Sequence, residues 1–188
     1  MGPAWHRIAF LSVALILSAQ SACALQAMPL QRDVEGQMLK GLVERAVGSV
    51  PTPRDIEATF GLKYAPPRIS RYVEVYEAPG AYPFAAESAA STYLLYPAGA
   101  RPQVLVSIHF ASPERLFATQ LPQFCLPRQE FVAELLNRNW QHQLVTDPIH
   151  DIRNDHYTLE VDGISRLVYF IPNAGDCIQT VVVRFKYL

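Results

Sequence analysis

Residues 156–171, HYTLEVDGISRLVYFI, decide the fold class of this chain. In the first six positions polar and apolar residues alternate, which predicts a strand with one buried face. The pair Asp162-Gly163 follows, and it favours a two-residue hairpin turn because both central positions of that turn need positive φ. The second apolar run, residues 166–171, therefore returns antiparallel to the first.

The rest of the chain carries further strand and helix patterns. Strands are predicted over residues 69–76, 92–96, 103–110, 141–146 and 177–187. Apolar residues at three- and four-residue spacing predict a helix over residues 33–47. A second helix starts at Thr52-Pro53-Arg54-Asp55, where Thr52 and Asp55 can form a capping box, and a third starts at Pro127.

The order of these elements is helix, helix, three strands, helix, four strands. It predicts an α+β fold with an antiparallel sheet of about seven strands and helices packed on one face. Residues 33–188 form a single domain in this interpretation. The order also suggests two tandem helix-plus-meander pseudo-repeats, residues 52–110 and 126–188, although the two segments share little more than a Pro-Arg pair followed by an apolar residue.

The N-terminal segment has the features of a secretory signal peptide. Arg7 precedes a short apolar run, and Ala22-Cys23-Ala24 is a small-x-small cleavage triplet. We expect residues 1–24 to be removed near Ala24 and residues 25–32 to be a disordered leader, so that the protein is periplasmic or secreted. The alternative is a lipid anchor on Cys23, which Gln20 disfavours.

Removal of the signal peptide would leave two cysteines, Cys125 and Cys177. An even pair in an exported chain predicts a disulfide bond, here between the start of the third helix and the start of the last strand. The competing interpretation is that Cys125 is a thiol nucleophile, which would require it to be reduced.

Charge argues against two classes of partner. The chain has 16 Lys and Arg against 17 Asp and Glu, a net charge of −1, and lacks the clustered bases that nucleic acid or anionic lipid requires. Its apolar segments are too short for a transmembrane span. No cofactor motif is present, so we expect no cofactor.

Aromatic side chains crowd residues 72–96. If Val73 and Val75 face the core, then the side chains between them face outward next to a Pro/Gly-rich loop. Such a surface is typical of protein-binding sites, since Tyr contributes large contact area at low entropic cost. The alternative is that the tyrosines belong to the core. The predicted partner-binding residues are Tyr72, Glu74, Tyr76, Tyr82 and Phe84.

Two groups of residues offer weaker chemistry. The segment 150–156 holds the metal-ligand candidates His150, Asp151, Asp155 and His156, but their spacing matches no familiar site and Arg153 would repel a cation. His109 lies on a predicted strand beside Ser107, without the elbow that a serine nucleophile needs. A solvated loop and a histidine on the polar face of a strand are the simpler interpretations.

These observations favour a non-enzymatic, exported binding protein that acts by protein–protein contact, such as an inhibitor or immunity protein against an envelope enzyme, toxin or hydrolase. The two-unit layout is similar to that of secreted proteins that inhibit β-lactamase, and this likeness of architecture implies a concave sheet that grips its partner. The alternatives are an envelope hydrolase using His109 or the His150–His156 loop, and a lipid-anchored envelope assembly factor.

Overall fold

A computed structural model describes residues 33–80, 83–85, 90–97, 102–110, 124–146, 153–172 and 176–188. The predicted signal peptide and leader lie outside the described residues. The chain divides into two compact units, Met1–Gln37 and Met38–Leu188. Of the first unit, residues 33–37 are described, and they are helical.

The second unit contains three described helices and eight described strands. The helices are α1, residues 38–47; α2, Pro53–Phe60; and α3, Arg128–Asn137. The strands are β1, Arg68–Ile69; β2, Glu74–Ala78; β3, Ser91–Tyr96; β4, Gln103–His109; β5, Gln141–Thr146; β6, Arg153–Val161; β7, Ile164–Pro172; and β8, Ile178–Tyr187. The predicted α+β class is therefore correct. No helix of the described residues is long and apolar enough to cross a membrane.

All eight strands form one antiparallel sheet, in the order β1-β2-β3-β4-β8-β7-β6-β5. Each half of the sheet is a four-stranded meander that follows a helix, α2 or α3. The last strands of the two meanders, β4 and β8, pair at the centre, with Val106 opposite Val183. The duplication of residues 52–110 and 126–188 stays a prediction. If it is real, each repeat would consist of one helix and the four-stranded meander that follows it.

The predicted boundaries of α2 and the predicted hairpin turn are confirmed. The Thr52 side chain accepts a hydrogen bond from the Asp55 backbone while the Asp55 carboxylate accepts from the Thr52 backbone, and α2 ends at Gly61 in the left-handed region, with φ 67°. At the predicted hairpin turn, Asp162 and Gly163 both have positive φ, 54° and 71°.

The sheet has eight strands instead of about seven because the alternating segment 69–76 is split. The backbone N–H of Ser70 donates to the carbonyl of Val73 at 2.9 Å, so the chain reverses there and forms β1 and β2 where one strand was predicted. Alternation of apolar and polar residues continues through this turn, so the pattern itself contains no sign of the reversal.

Side chains from the described helices lie beside residues of one face of the sheet, which we call the covered face. Leu42 of α1 and Ile56 and Phe60 of α2 line a cavity of about 10 Å³ together with sheet residues of this face. Those sheet residues are Val106, Ile108, Val183 and Phe185. From α3, the ring of Phe131 lies 6.1 Å from that of Phe170, and the strand register places Phe170 on the same face.

The predicted disulfide between Cys125 and Cys177 is present, with the two Cα atoms 5.1 Å apart. Next to it, Pro127 forms a β-bridge with Cys177, and the N–H of Ile178 donates to the carbonyl of Leu126 at 2.9 Å. The bridge therefore fastens the start of α3 to the start of β8, as the sequence order predicted.

Candidate protein-binding site at the first hairpin

The turn between β1 and β2 is organised by the hydroxyl of one serine. Ser70 Oγ accepts hydrogen bonds from the backbone N–H groups of Tyr72 at 3.3 Å and Val73 at 3.1 Å. The same hydroxyl donates to the Val73 carbonyl at 3.0 Å. Because a side chain satisfies these backbone groups, the turn holds a defined shape without packing against the core.

This turn presents the two most exposed large apolar side chains of the described residues, Ile69 at 71% and Tyr72 at 63%. The guanidinium of Arg71, the residue before Tyr72, lies 5.5 Å from the centre of the Tyr72 ring, in a cation–π arrangement. We call Ile69, Arg71 and Tyr72 the hairpin tip. Tyr and Arg are the residue types that most often dominate binding energy at protein interfaces.

The hairpin is supported by a cluster of three tyrosine rings. Tyr76 contacts Tyr64 and Tyr93 edge to face, with ring centres 6.1 Å and 5.6 Å apart. Tyr64 and Ser91 share a hydrogen bond of 2.6 Å, and the Tyr93 hydroxyl donates to the Pro51 carbonyl at 3.0 Å. Edge-to-face ring contacts with hydrogen-bonded hydroxyls stabilise the packing of the strands next to the hairpin tip.

Burial raises the pKa of Tyr64 to about 12 and that of Tyr93 to about 12. Both phenols are therefore neutral at physiological pH, which keeps the Tyr93 hydroxyl available as the donor to the Pro51 carbonyl. Burial, together with the hydrogen bond to Glu74, also raises the pKa of Tyr76. The three rings hold the strands through their ring contacts and hydrogen bonds.

The predicted partner-binding residues divide into different environments. Tyr72 is exposed at the hairpin tip. The outward orientation expected for Tyr76 is wrong, because Tyr76 lies opposite Tyr93, which the register places on the covered face with Val106. Glu74 lies on the same side and accepts a hydrogen bond from the Tyr76 hydroxyl at 3.0 Å.

The reason for the reversed orientation is that the tyrosine rings, and not Val73 and Val75, fill the space on the covered face.

The other two predicted residues, Tyr82 and Phe84, belong to the segment between β2 and β3. Phe84 is 5% exposed, and its ring stacks 5.9 Å from that of Phe110. Phe84 is therefore a core residue in this structure and offers no contact surface. Tyr82 lies outside the described residues.

His109 lies on β4 on the face opposite the covered one, as predicted. Its Nδ1 is 3.1 Å from the hydroxyl of Thr180 on β8. Burial lowers the pKa of His109. Ser107 lies on the same face but is opposite Val182. A histidine that contacts a threonine hydroxyl matches a polar cross-strand pair better than a catalytic dyad.

Among the metal-ligand candidates, His150 and Asp151 lie outside the described residues. Asp155 and His156 are neighbours on β6, so their side chains point to opposite faces of the sheet. The Asp155 carboxylate binds Arg128 at 2.8 Å and His142 at 2.7 Å. In the described part of the chain, no group of three or more His, Cys, Asp or Glu could hold a metal ion.

Sequence reasoning missed Ile69 and Arg71 as surface residues, since it placed both inside a strand. The signal that could have found them is Ser70, a residue type that favours turns through its hydroxyl. Sequence reasoning also missed Arg166, a buried cation whose guanidinium donates to the carbonyls of Gly48 at 3.2 Å and Val161 at 3.1 Å.

Comparison of the chain with known protein families, curated proteins and solved structures finds no match.

Proposed function

We propose that this chain is an exported binding module that acts by protein–protein contact, with the hairpin tip as its contact surface. The observation that carries the proposal is the exposure of Ile69 and Tyr72, which are three positions apart in the chain and leave two large apolar side chains in solvent at one organised turn. Single exposed apolar residues are common, but this turn carries two of them together with an arginine, and Tyr and Arg are enriched among the residues that dominate binding energy.

The tip also indicates the chemistry of its partner. Ile69 and the Tyr72 ring would enter an apolar depression, while the charge of Arg71 would meet an acidic group at its rim. Arg71 is exposed, and its guanidinium rests on the Tyr72 ring, so it is oriented before a partner binds. Such preorganisation lowers the entropic cost of association.

The proposed compartment is the periplasm or the extracellular space, reached after cleavage near Ala24. The Cys125–Cys177 disulfide is compatible with this, because such bonds persist in oxidising compartments. An envelope enzyme or toxin is the proposed partner, and inhibition or immunity the proposed role. Mass spectrometry of the mature chain tests the export step: a first residue of Leu25 supports it, and a lipid on Cys23 contradicts the soluble form.

Site-specific photocrosslinking tests the contact surface. A photoreactive residue at position 72 should yield a discrete crosslinked protein in envelope extracts. The matched control carries the same residue at position 136, because Leu136 is also an exposed apolar side chain, 47%, but lies on α3. The same crosslinked species from both positions, or none from position 72, would contradict the hairpin tip as the interface.

Two tyrosine variants separate binding from folding. Tyr72→Ala should abolish the specific crosslink from a reactive residue at position 69 and leave the melting temperature unchanged, because Tyr72 is exposed. Tyr76→Ala should lower the melting temperature, because it removes a ring that contacts both Tyr64 and Tyr93. A loss of stability in Tyr72→Ala equal to that in Tyr76→Ala would show that the tip is structural.

A further inference from the structure

The two edges of the sheet are built differently. At one edge, β1 is two residues long, follows Pro66-Pro67, and carries Arg68, which pairs with Glu77 at 2.8 Å. A short strand with proline and charge is a common protection against pairing with another chain. At the other edge, β5 is six residues long, and its sequence is QHQLVT.

The sequence and register of β5 carry none of the residues or distortions that commonly protect an edge strand. It contains no proline, lysine, arginine, aspartate or glutamate, and its register with β6 runs without a bulge from Gln141 to Thr146. Five of its six residues are exposed, including Leu144 at 53%. No described strand pairs with its outer side, because β5 ends the strand order.

The hairpin turn between β6 and β7 shows which backbone groups of β5 point outward. A two-residue turn closes with a hydrogen-bonded pair, here Val161 and Ile164, and hydrogen-bonded pairs then alternate along an antiparallel ladder. Odd-numbered residues of β6 therefore bond to β7, and even-numbered ones, such as His156, bond to β5. Opposite His156 is Gln143.

The residues of β5 whose backbone groups hydrogen-bond to β6 are consequently the odd-numbered ones, because each of them faces an even-numbered residue of β6. His142, Leu144 and Thr146 direct their N–H and C=O groups away from the sheet. A row of three such residues, at alternate positions of an unprotected strand, is a template for one more antiparallel strand.

We propose that this strand comes from a second copy of the chain, so that β5 pairs with β5 about a twofold axis at Leu144. In this register Leu144 lies opposite its own copy and His142 lies opposite Thr146. The outward-directed backbone N–H and C=O groups of all three residues then form hydrogen bonds with the second copy. A shift of one pair in either direction would leave one of them without a partner.

Charge and burial favour this occupant. The strand contains no Lys, Arg, Asp or Glu, so two copies meet without the like-charge repulsion that such side chains would cause across strands. The register also buries the most exposed apolar side chain of β5 against the same side chain of the partner. Since a single pair of short strands buries less than the roughly 1,200 Å² of stable interfaces, we expect a weak dimer that depends on concentration.

Analytical ultracentrifugation of the disulfide-bonded chain over a concentration series tests the proposal. The wild-type chain should pass from monomer to dimer as the concentration rises. Leu144→Lys should raise the dissociation constant at least about tenfold, because it places two ammonium groups opposite each other. The matched control is Leu136→Lys on α3, which adds the same charge at an exposed leucine and should leave the dissociation constant unchanged.

Crosslinking tests the register. Under mild oxidation, Leu144→Cys should form a disulfide-linked dimer, and Leu136→Cys should not. The proposal is overturned if the wild-type chain stays monomeric at the highest concentration, if Leu144→Lys dimerises like the wild type, or if Leu144→Cys fails to crosslink while the dimer forms. Circular dichroism of Leu144→Lys should match that of the wild type, which shows that the variant folds.

Discussion

Arg128 binds Asp155 at 2.8 Å, and this contact fastens the first turn of α3 to β6. The other arm of the guanidinium binds Asp176 at 3.2 Å, beside Cys177 of the disulfide, and its carbon lies 5.6 Å from the centre of the Phe170 ring. One cation thus joins a helix, a strand and the turn that precedes β8, in the same region that the disulfide crosslinks.

Removal of this cation should destabilise the fold. We expect Arg128→Met to lower the free energy of unfolding by about 1–2 kcal/mol, because Asp155 and Asp176 lose a charged donor in a half-buried setting. Urea denaturation measures the change. Arg68→Met is the control: its pair with Glu77 has the same 2.8 Å distance, but the Arg68 side chain is 73% exposed, so the loss should be below about 0.5 kcal/mol. Equal losses would contradict a special role for Arg128.

Two histidines should make stability depend on pH. Burial lowers the pKa of His109 below its ordinary value of 6.5, and burial followed by the charge of Arg184 lowers the pKa of His156. The unfolded chain therefore takes up protons first as the pH falls. The stability that the neutral imidazoles contribute is complete above about pH 6.5 and is lost as the pH falls through their pKa in the folded state.

Urea denaturation at about pH 7.5 and at about pH 5.5 measures this loss. The double variant His109→Gln/His156→Gln should lose less stability between the two conditions than the wild type, because glutamine does not titrate. If the double variant loses as much free energy of unfolding between the two pH values as the wild type does, then other groups cause the pH dependence.

The disulfide should contribute a large share of the stability. Cys125 and Cys177 are 52 positions apart, and loop-closure entropy for a loop of that size corresponds to about 4 kcal/mol. We expect Cys125→Ala/Cys177→Ala to lower the free energy of unfolding by about 2–4 kcal/mol. A reductant should destabilise the wild type and leave this double variant unchanged. Alkylation of both cysteines in denatured, unreduced protein would contradict the bond.

Gly80 lies where a larger residue does not fit. An added Cβ would lie 2.5 Å from the Ala90 Cβ and 2.7 Å from the Ala85 carbonyl oxygen. Gly80→Ala should therefore lower the free energy of unfolding by about 1–3 kcal/mol. Gly36 is the matched control, because it is helical and has nothing within 4 Å of an added Cβ, so Gly36→Ala should stabilise by up to about 1 kcal/mol. The shift in urea midpoint distinguishes the two, and a neutral Gly80→Ala would contradict the crowding.

Strand pairs that are adjacent in the chain were predictable, but the centre of the sheet was not. The Asp162-Gly163 turn joins β6 and β7 through the φ preferences of two residues. The pairing of β4 with β8 joins segments about 80 residues apart, and no local pattern in either strand specifies the other. The network of Arg128, Asp155 and His142 was likewise missed, because it depends on the register between β5 and β6 and on the packing of α3 against the sheet.

The sequence by itself determined the α+β class, the capping box at Thr52, the hairpin turn at Asp162 and the pairing of Cys125 with Cys177, since each depends on local backbone preference or on a small set of choices. Only the tertiary structure decided that Tyr76 turns toward the covered face and Tyr72 toward solvent. Alternation along a strand defines two faces but does not say which one is covered. That choice depends on whether tyrosines or valines better fill the space, which is a property of the packed molecule.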